Sequence, residues 1–421
     1  SLSLQAFQTV MSQQLYPLGQ IQSAEMKSYE KGIGIYNLHF LSTPLQVVLG
    51  LDSLNKIETL LFQPYAGDPV TEKPAPEAPR NAAASKLDQY VDSVALVYSR
   101  KGHTHALAIG IINAGKTSSY YYGETEKGNK QLPDENTLFE IGSISKTFTA
   151  TLLAYLVQTQ RLGLDDAIAK YLPDSVAANP DLQHITLKQL ANHTSGLPRL
   201  PDNMEGTAAA HPLDPYKGYT KEQLYAYLKS YKAVLPPDSI YQYSNLGFGL
   251  LGDILSTVYG QPYDDMIQEV VCKPLGLKNT TEHPNTDTQY VAKVYNEKGQ
   301  ETPLWTFDDF AAHGSLKSTI ADLLTYAKAH FKMPETDLEH ALALTRQFTY
   351  FNPPDTDIGL AWHMTLVGDE LIYWHNGGTF GSSSYMAFTP DKKIAIVVLS
   401  NTAESVDAVG LAILNRVLAA E

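Results

Sequence analysis

Ser143-Ile144-Ser145-Lys146 places a hydroxyl and an amine three residues apart at the head of an apolar periodic run. Residues i and i+3 of a helix share a face, so the Lys146 amine can reach the Ser143 hydroxyl without help from a distant segment. Ile144, Phe148, Leu152 and Leu156 recur at helical spacing and predict that helix. A serine becomes a useful nucleophile when a neighbouring base takes its proton, and a lysine serves only when neutral. The positive potential of a helix N-terminus favours both an alkoxide and an uncharged lysine. Taken alone, S-x-x-K occurs by chance in many chains and equally describes a cap serine followed by a solvated lysine.

Two further groups follow it, Tyr243-Ser244-Asn245 and His375-Asn376-Gly377-Gly378. Three boxes in this order resemble the serine β-lactamase and penicillin-binding protein superfamily, whose signature is S-x-x-K with S-D-N and K-T-G. The Tyr-x-Asn second box is similar to that of the class C β-lactamase and DD-carboxypeptidase branch. His193-Thr194-Ser195-Gly196-Leu197-Pro198 and Gly314-Ser315-Leu316-Lys317-Ser318-Thr319 agree with it, and the resemblance covers about residues 87–421.

The resemblance implies a role for each boxed residue. Ser143 attacks an acyl carbon and becomes an acyl-enzyme, with Lys146 as the base. Tyr243 relays a proton between Ser143 and the leaving group. Asn245 hydrogen-bonds Lys146 and the substrate amide. Gly377 and Gly378 let the strand backbone approach the substrate, and the Gly378 and Ser143 amides form the oxyanion hole. His375 departs from the usual lysine, and Asn376 from the threonine. A lysine there offers a substrate carboxylate a fixed charge, whereas histidine offers a ring donor only partly charged near neutral pH.

The implied protein is a serine hydrolase with no cofactor and no metal. Its substrates are small molecules or peptides of the D-Ala-D-Ala kind, cleaved at an amide or ester bond. His375 weighs against a dedicated β-lactamase. A carboxylesterase or D-aminopeptidase is the alternative within the class, and a non-catalytic penicillin-binding sensor or scaffold the rival outside it. A periplasmic or secreted location is implied too, with an export signal expected to be missing ahead of Ser1.

These boxes need a scaffold, and 421 residues with 43% hydrophobic content exceed one ordinary domain. Residues 1–63 read as a small α+β accessory domain. Phe7, Val10, Met11 and Leu15 suit a helix, Leu45 to Leu51 alternate like a strand, Ile57 to Phe62 suit another, and Asp52-Ser53-Leu54-Asn55 supplies a turn. Residues 64–86, rich in proline and alanine, read as a linker. Residues 87–421 are expected to form an α+β hydrolase domain of the β-lactamase/transpeptidase-like fold. Strands are expected at Val94–Tyr98, Ala106–Ile109 and Ser118–Tyr122, helices through 143–275, and strands again near 371–374, 383–388 and 394–400. A last helix carries Val406, Val409, Ile413 and Val417 on one face. Strands at both ends predict an antiparallel sheet assembled from the two ends, with a helical lobe beside it.

Composition excludes other classes. The net charge of -14 argues against nucleic acid and anionic membranes as partners. A mean hydropathy of -0.20 and short apolar runs predict no transmembrane segment. The single cysteine, Cys272, permits no intrachain disulfide and reads as a buried small hydrophobe. Gly110 to Thr117 fits a phosphate-loop pattern, but strand formers follow it and a hairpin is expected instead. Gly247-Phe248-Gly249-Leu250-Leu251-Gly252 fits a dinucleotide fingerprint inside a helical pattern, where small residues serve close helix packing. His103 and His105 are expected to be solvated, and His193 to be structural.

Overall fold

A computed structural model describes residues 21–30, 33–40, 44–51, 57–64, 85–101, 103–352 and 356–419. The chain divides between Glu72 and Lys73, inside the proline-rich stretch.

The described part of the first unit is a four-stranded antiparallel sheet in sequence order. Its strands are β1 (Ile21–Glu30), β2 (Ile33–Phe40), β3 (Pro44–Leu51) and β4 (Ile57–Pro64). The two expected strands are β3 and β4. The expected helix at Phe7 to Leu15 and the turn at 52–55 lie outside the described residues.

The second unit opens with helix α1 (Lys86–Ser99), not with the strand expected at Val94–Tyr98. A capping box starts it: Ser85 Oγ accepts from the Asp88 amide, and the Asp88 carboxylate accepts from the Ser85 amide. Val91, Ala95 and Tyr98 are buried at helical spacing while Val97 is 66% exposed, the one-sided burial of an amphipathic helix.

The main sheet has seven antiparallel strands. In chain order they are β5 (Leu107–Asn113) and β6 (Lys116–Tyr122), and then, beyond the short strands β7 (Phe139–Glu140) and β8 (Lys317–Ser318), β9 (Asp357–Ile358), β10 (His363–Val367), β11 (Glu370–Gly378), β12 (Ser383–Thr389) and β13 (Ile394–Ser400). Across the sheet the order is β9-β10-β11-β12-β13-β5-β6. The last strand, β13, pairs with β5, Ile396 opposite Ile111, so both ends of the unit meet in the middle of the sheet. Gly110–Thr117 is the β5–β6 hairpin, and Gly110 leaves room for Ile320 and Leu324 of helix α4 below.

Alternation along the central strands divides the core in two. Ala106, Ala108 and Ile112 face one cluster together with Val397 and Leu399, and Leu107, Ile109 and Ile111 face the other with Ile396 and Val398. The second face is covered by α1 and by the last helix, α5 (Asp407–Leu418), through Val409, Ile413 and Val417. The first face carries the helical lobe: α2 (Ser145–Gln158), α3 (Asn245–Tyr259) and α4 (Ile320–Ala329). Each fully buried Leu, Ile or Val on these faces is worth about 1.5–3 kcal/mol. Gly249 and Gly252 let α3 lie against Phe310 and Ala312, where a Cβ would come within 2.1 and 2.2 Å of them. Cys272 is buried with its Sγ 3.5 Å from the Thr280 carbonyl. His103 and His105 are not solvated: His103 bonds Glu404 at 3.0 Å, and His105 is buried against Tyr295. Among the described residues no helix is long and apolar enough to cross a membrane.

Candidate active site

Ser143 sits in a single 3-10 turn, Gly142–Ile144, between β7 and α2. Three bonds fix this turn. The Ile141 amide donates to the Leu316 carbonyl at 3.1 Å, Ser384 Oγ donates to the Ile141 carbonyl at 2.8 Å, and Ser145 Oγ accepts from the Leu316 amide at 3.1 Å. Gly142 has φ +48°, and a Cβ on it would lie 2.6 Å from the Gly378 nitrogen. A Cβ on Gly377 would lie 2.2 Å from the Ile141 carbonyl oxygen and 2.8 Å from the Ser143 nitrogen. Glycine on both sides thus lets the end of β11 press against the turn that carries Ser143. Glu140, buried just before the turn, accepts from the Trp305 amide and from Thr379 Oγ1, both at 2.7 Å. It ties the loop after the third box to the nucleophile strand.

Lys146 lies on the first turn of α2 and is fully buried. Its Nζ is 3.0 Å from Ser143 Oγ and donates to the His313 carbonyl at 2.6 Å. The rings of Tyr243 and Phe248 complete its surroundings, with centroids 4.9 and 5.7 Å from Nζ. Burial, and then the charge of Arg199, hold the amine well below the usual lysine range. Among the described residues no acidic side chain pairs with this amine.

Tyr243 hydrogen-bonds Ser143, and burial pushes its phenol up to about 12. Its ring is held on several sides: His193 stacks on it at 4.3 Å, and the Arg199 guanidinium lies 5.2 Å from its centroid. His193 is buried, and its Nδ1 accepts from the Ser244 amide at 3.0 Å. The Arg199 carbonyl accepts from the Asn245 and Leu246 amides at 3.0 and 3.1 Å, the first turn of α3. The His193–Arg199 loop and the second box are therefore one knitted unit.

Asn245 departs from expectation. Its Nδ2 donates to Tyr216 Oη at 3.0 Å, and its buried Oδ1 has no partner. The expected bond to Lys146 is not made; that amine donates to the His313 carbonyl, and the Asn245 amide turns to Tyr216. The third box also differs. His375 is buried, and its Nδ1 is 2.6 Å from the Asn376 carbonyl, a position only an N–H donor can fill. Burial first, then His363 and Lys146, keep the ring well below the usual histidine range, so it is neutral and its unpartnered Nε2 is an acceptor. The expected ring donor is spent on the backbone. Asn376 points to the opposite face of β11 and donates to Asp407 at 2.7 Å. Trp374 stacks on His363 at 4.5 Å, while Phe380 is 43% exposed with its edge to Trp305.

The structure thus brings Ser143, Lys146, Tyr243, His375, Gly377 and Gly378 into one cleft, with Asn245 at its wall. Sequence reasoning missed Arg199, which follows the H-T-S-G-L-P loop directly, and His313, whose contribution is a backbone oxygen and leaves no side-chain signal.

The sequence pattern of the β-lactamase family matches residues 83–421. A β-lactamase from Pseudomonas fluorescens is 28% identical over 355 residues, 76% of this chain and 94% of that protein. The D-alanyl-D-alanine-carboxypeptidase/endopeptidase AmpH of Escherichia coli K12 is 31% identical over 351 residues, 80% of this chain and 86% of that protein. Among solved structures, a β-lactamase/D-alanine carboxypeptidase from Pseudomonas syringae superposes with a TM-score of 0.70 at 26% identity, covering 80% of this chain and 99% of that one.

Proposed function

Because the chain belongs to the β-lactamase family and is a serine hydrolase of the β-lactamase and DD-peptidase kind, we propose that Ser143 is its nucleophile, Lys146 the base and Tyr243 the proton relay. The observation that carries this is a fully buried Lys146 amine 3.0 Å from Ser143 Oγ, held by burial well below the usual lysine range. As Ser143 Oγ bonds to the acyl carbon, its proton passes to Lys146. The tetrahedral oxyanion rests on the Ser143 and Gly378 amides, each worth about 3–4 kcal/mol in the transition state. Collapse breaks the bond to the leaving amine or alkoxide, which takes a proton through Tyr243. Water then attacks the ester, gives up a proton to the same base, and regenerates Ser143.

The preferred substrate is a D-alanyl-D-alanine-type peptide amide, or an ester. A neutral, buried His375 offers no fixed charge to a substrate carboxylate, which weighs against a dedicated β-lactamase and leaves any charged anchor to another residue. Carboxylesterase and D-aminopeptidase activities use the same machinery and remain the competing readings. Work outside the cytoplasm follows from cell-wall peptides as substrates, and residues 1–63 serve as an accessory module joined by the 64–86 linker.

Intact mass after incubation with a fluorescent penicillin and with a fluorophosphonate tests the nucleophile. We expect an adduct on the wild type that Ser143→Ala lacks; no adduct with either reagent sinks the hydrolase mechanism. Rates on D-alanyl peptides, p-nitrophenyl esters and a chromogenic cephalosporin then rank the substrates.

A further inference from the structure

The cleft has an electrostatic gap. Where the family signature carries a lysine, this chain has His375, neutral and turned to its own backbone. Lys146 is fully buried with its amine engaged by Ser143 Oγ and the His313 carbonyl, so neither group presents a free cation to a substrate carboxylate. The chain as a whole carries -14, which repels anions.

Arg199 stands at this gap. Its side chain is exposed, and among the described residues its guanidinium has no acidic partner and donates no hydrogen bond. It lies 5.2 Å from the centre of the Tyr243 ring, whose hydroxyl bonds Ser143, so it stands no more than one aromatic ring and one hydrogen bond from the nucleophile. An arginine fork holds its charge at any working pH and matches a carboxylate bidentately. Its backbone, meanwhile, is fixed by the bonds from Asn245 and Leu246 to its carbonyl. An exposed cation with no acidic partner among the described residues, on an anchored backbone beside Ser143, is suited to meet an anionic substrate group.

We infer that Arg199, in place of the third box, anchors the substrate through a carboxylate beside the scissile bond. This rests on the reading of Ser143 as nucleophile, with which it shares a cleft. It makes Arg199 a specificity residue and not part of the acylating machinery. It also names the substrate class: acyl compounds that carry a free carboxylate within one residue of the bond cleaved, in preference to their amides or neutral esters.

The test uses full-length Ser143→Ala, which binds without turning over. Calorimetry compares an N-acetylated D-alanyl-D-alanine peptide as free acid with the same peptide as C-terminal amide. We expect the acid to bind about tenfold tighter at low salt, the size of one charge-assisted contact, and the advantage to shrink as salt rises. Arg199→Gln in the same background should erase the preference, and Arg199→Lys should restore part of it. Both variants keep the backbone carbonyl that holds α3, and a thermal melt confirms their folding. No acid preference, or one that survives Arg199→Gln, overturns the proposal. Failure of the fluorophosphonate to label wild-type Ser143 overturns the catalytic reading instead, and leaves the binding ratio to decide Arg199.

Discussion

The Lys146 amine donates to the carbonyl of His313 at 2.6 Å and faces Ser143 Oγ at 3.0 Å. A neutral amine has two protons and one lone pair. With a proton committed to a backbone oxygen that cannot itself donate, the lone pair is free to accept from the serine hydroxyl. The carbonyl thus orients the base, and burial supplies its neutral state.

Lys146→Ala should therefore slow acylation by about a hundred- to ten-thousand-fold, the usual worth of a general base. The sign of the pH effect follows from the lowered pKa. Below it the amine is protonated and the rate falls; above it the rate levels off. The wild-type limb should lie on the acid side of an ordinary lysine titration. Stopped-flow acylation across pH checks this, and a limb that survives in Lys146→Ala removes lysine from the role of base.

Gly377→Ala forces a methyl against two backbone atoms, the Ile141 oxygen and the Ser143 nitrogen, and against Ser384 Oγ. The third box must move away from the nucleophile turn. Loss of one oxyanion donor costs about a hundred- to a thousand-fold in kcat. We expect that loss on every substrate, together with a lowered melting temperature, because overpacking against the backbone costs about 1–3 kcal/mol. Steady-state rates near wild type would show that Gly378 gives no oxyanion contact.

Asp407 is held by Asn376 at the back of the sheet, and burial raises its carboxyl to about 6. A raised folded-state pKa gives stability that is present at low pH and lost as pH rises through that value. Asp407→Asn keeps an acceptor for Asn376 and removes the buried charge. It should add roughly 2–3 kcal/mol at pH 8, for a shift of about two units, and little at pH 4. Urea unfolding at both pH values measures it, and an equal effect at each refutes the linkage.

His330 is buried among Trp362, Phe388 and Tyr326, and neither ring nitrogen has a partner. Burial, then Arg346, keep it well below the usual histidine range. A lowered folded-state pKa removes stability as pH falls below about 6.5, where the unfolded chain takes up the proton. His330→Leu should stabilise by about 1–3 kcal/mol at neutral pH, the cost of an unsatisfied buried polar group, and flatten the loss toward pH 5. Thermal melts at pH 5 and 8 decide it; an unchanged acid slope would assign that slope to His193, His313, His363 and His375.

What could be read from the sequence depended on range. Ser143 and Lys146 are legible because one helical turn joins them, and the alternation in Ile394–Ser400 marks a strand wherever it pairs. Val94–Tyr98 misled because five apolar residues read as a strand while Ser85 and Asp88, the capping box that starts the helix, stand six or more residues upstream. Asn245 was given a lysine as partner by resemblance, but its amide bonds Tyr216 while the lysine donates to a main-chain oxygen at His313, and no residue type encodes a carbonyl. Arg199 escaped notice because its meaning lies in what surrounds it, the stack of His193 and Tyr243 and the silence of His375.

The pairing of β5 with β13 has a consequence for how the enzyme comes into being. Ser143 lies far upstream of Gly378 in the chain, and β13, which joins β5 to the rest of the sheet, lies downstream of both. Such non-local pairing makes for a high contact order and slow folding. A nascent chain therefore carries Ser143 and Lys146 before Gly378 and β13 exist, so the site can assemble only once those later strands have been made.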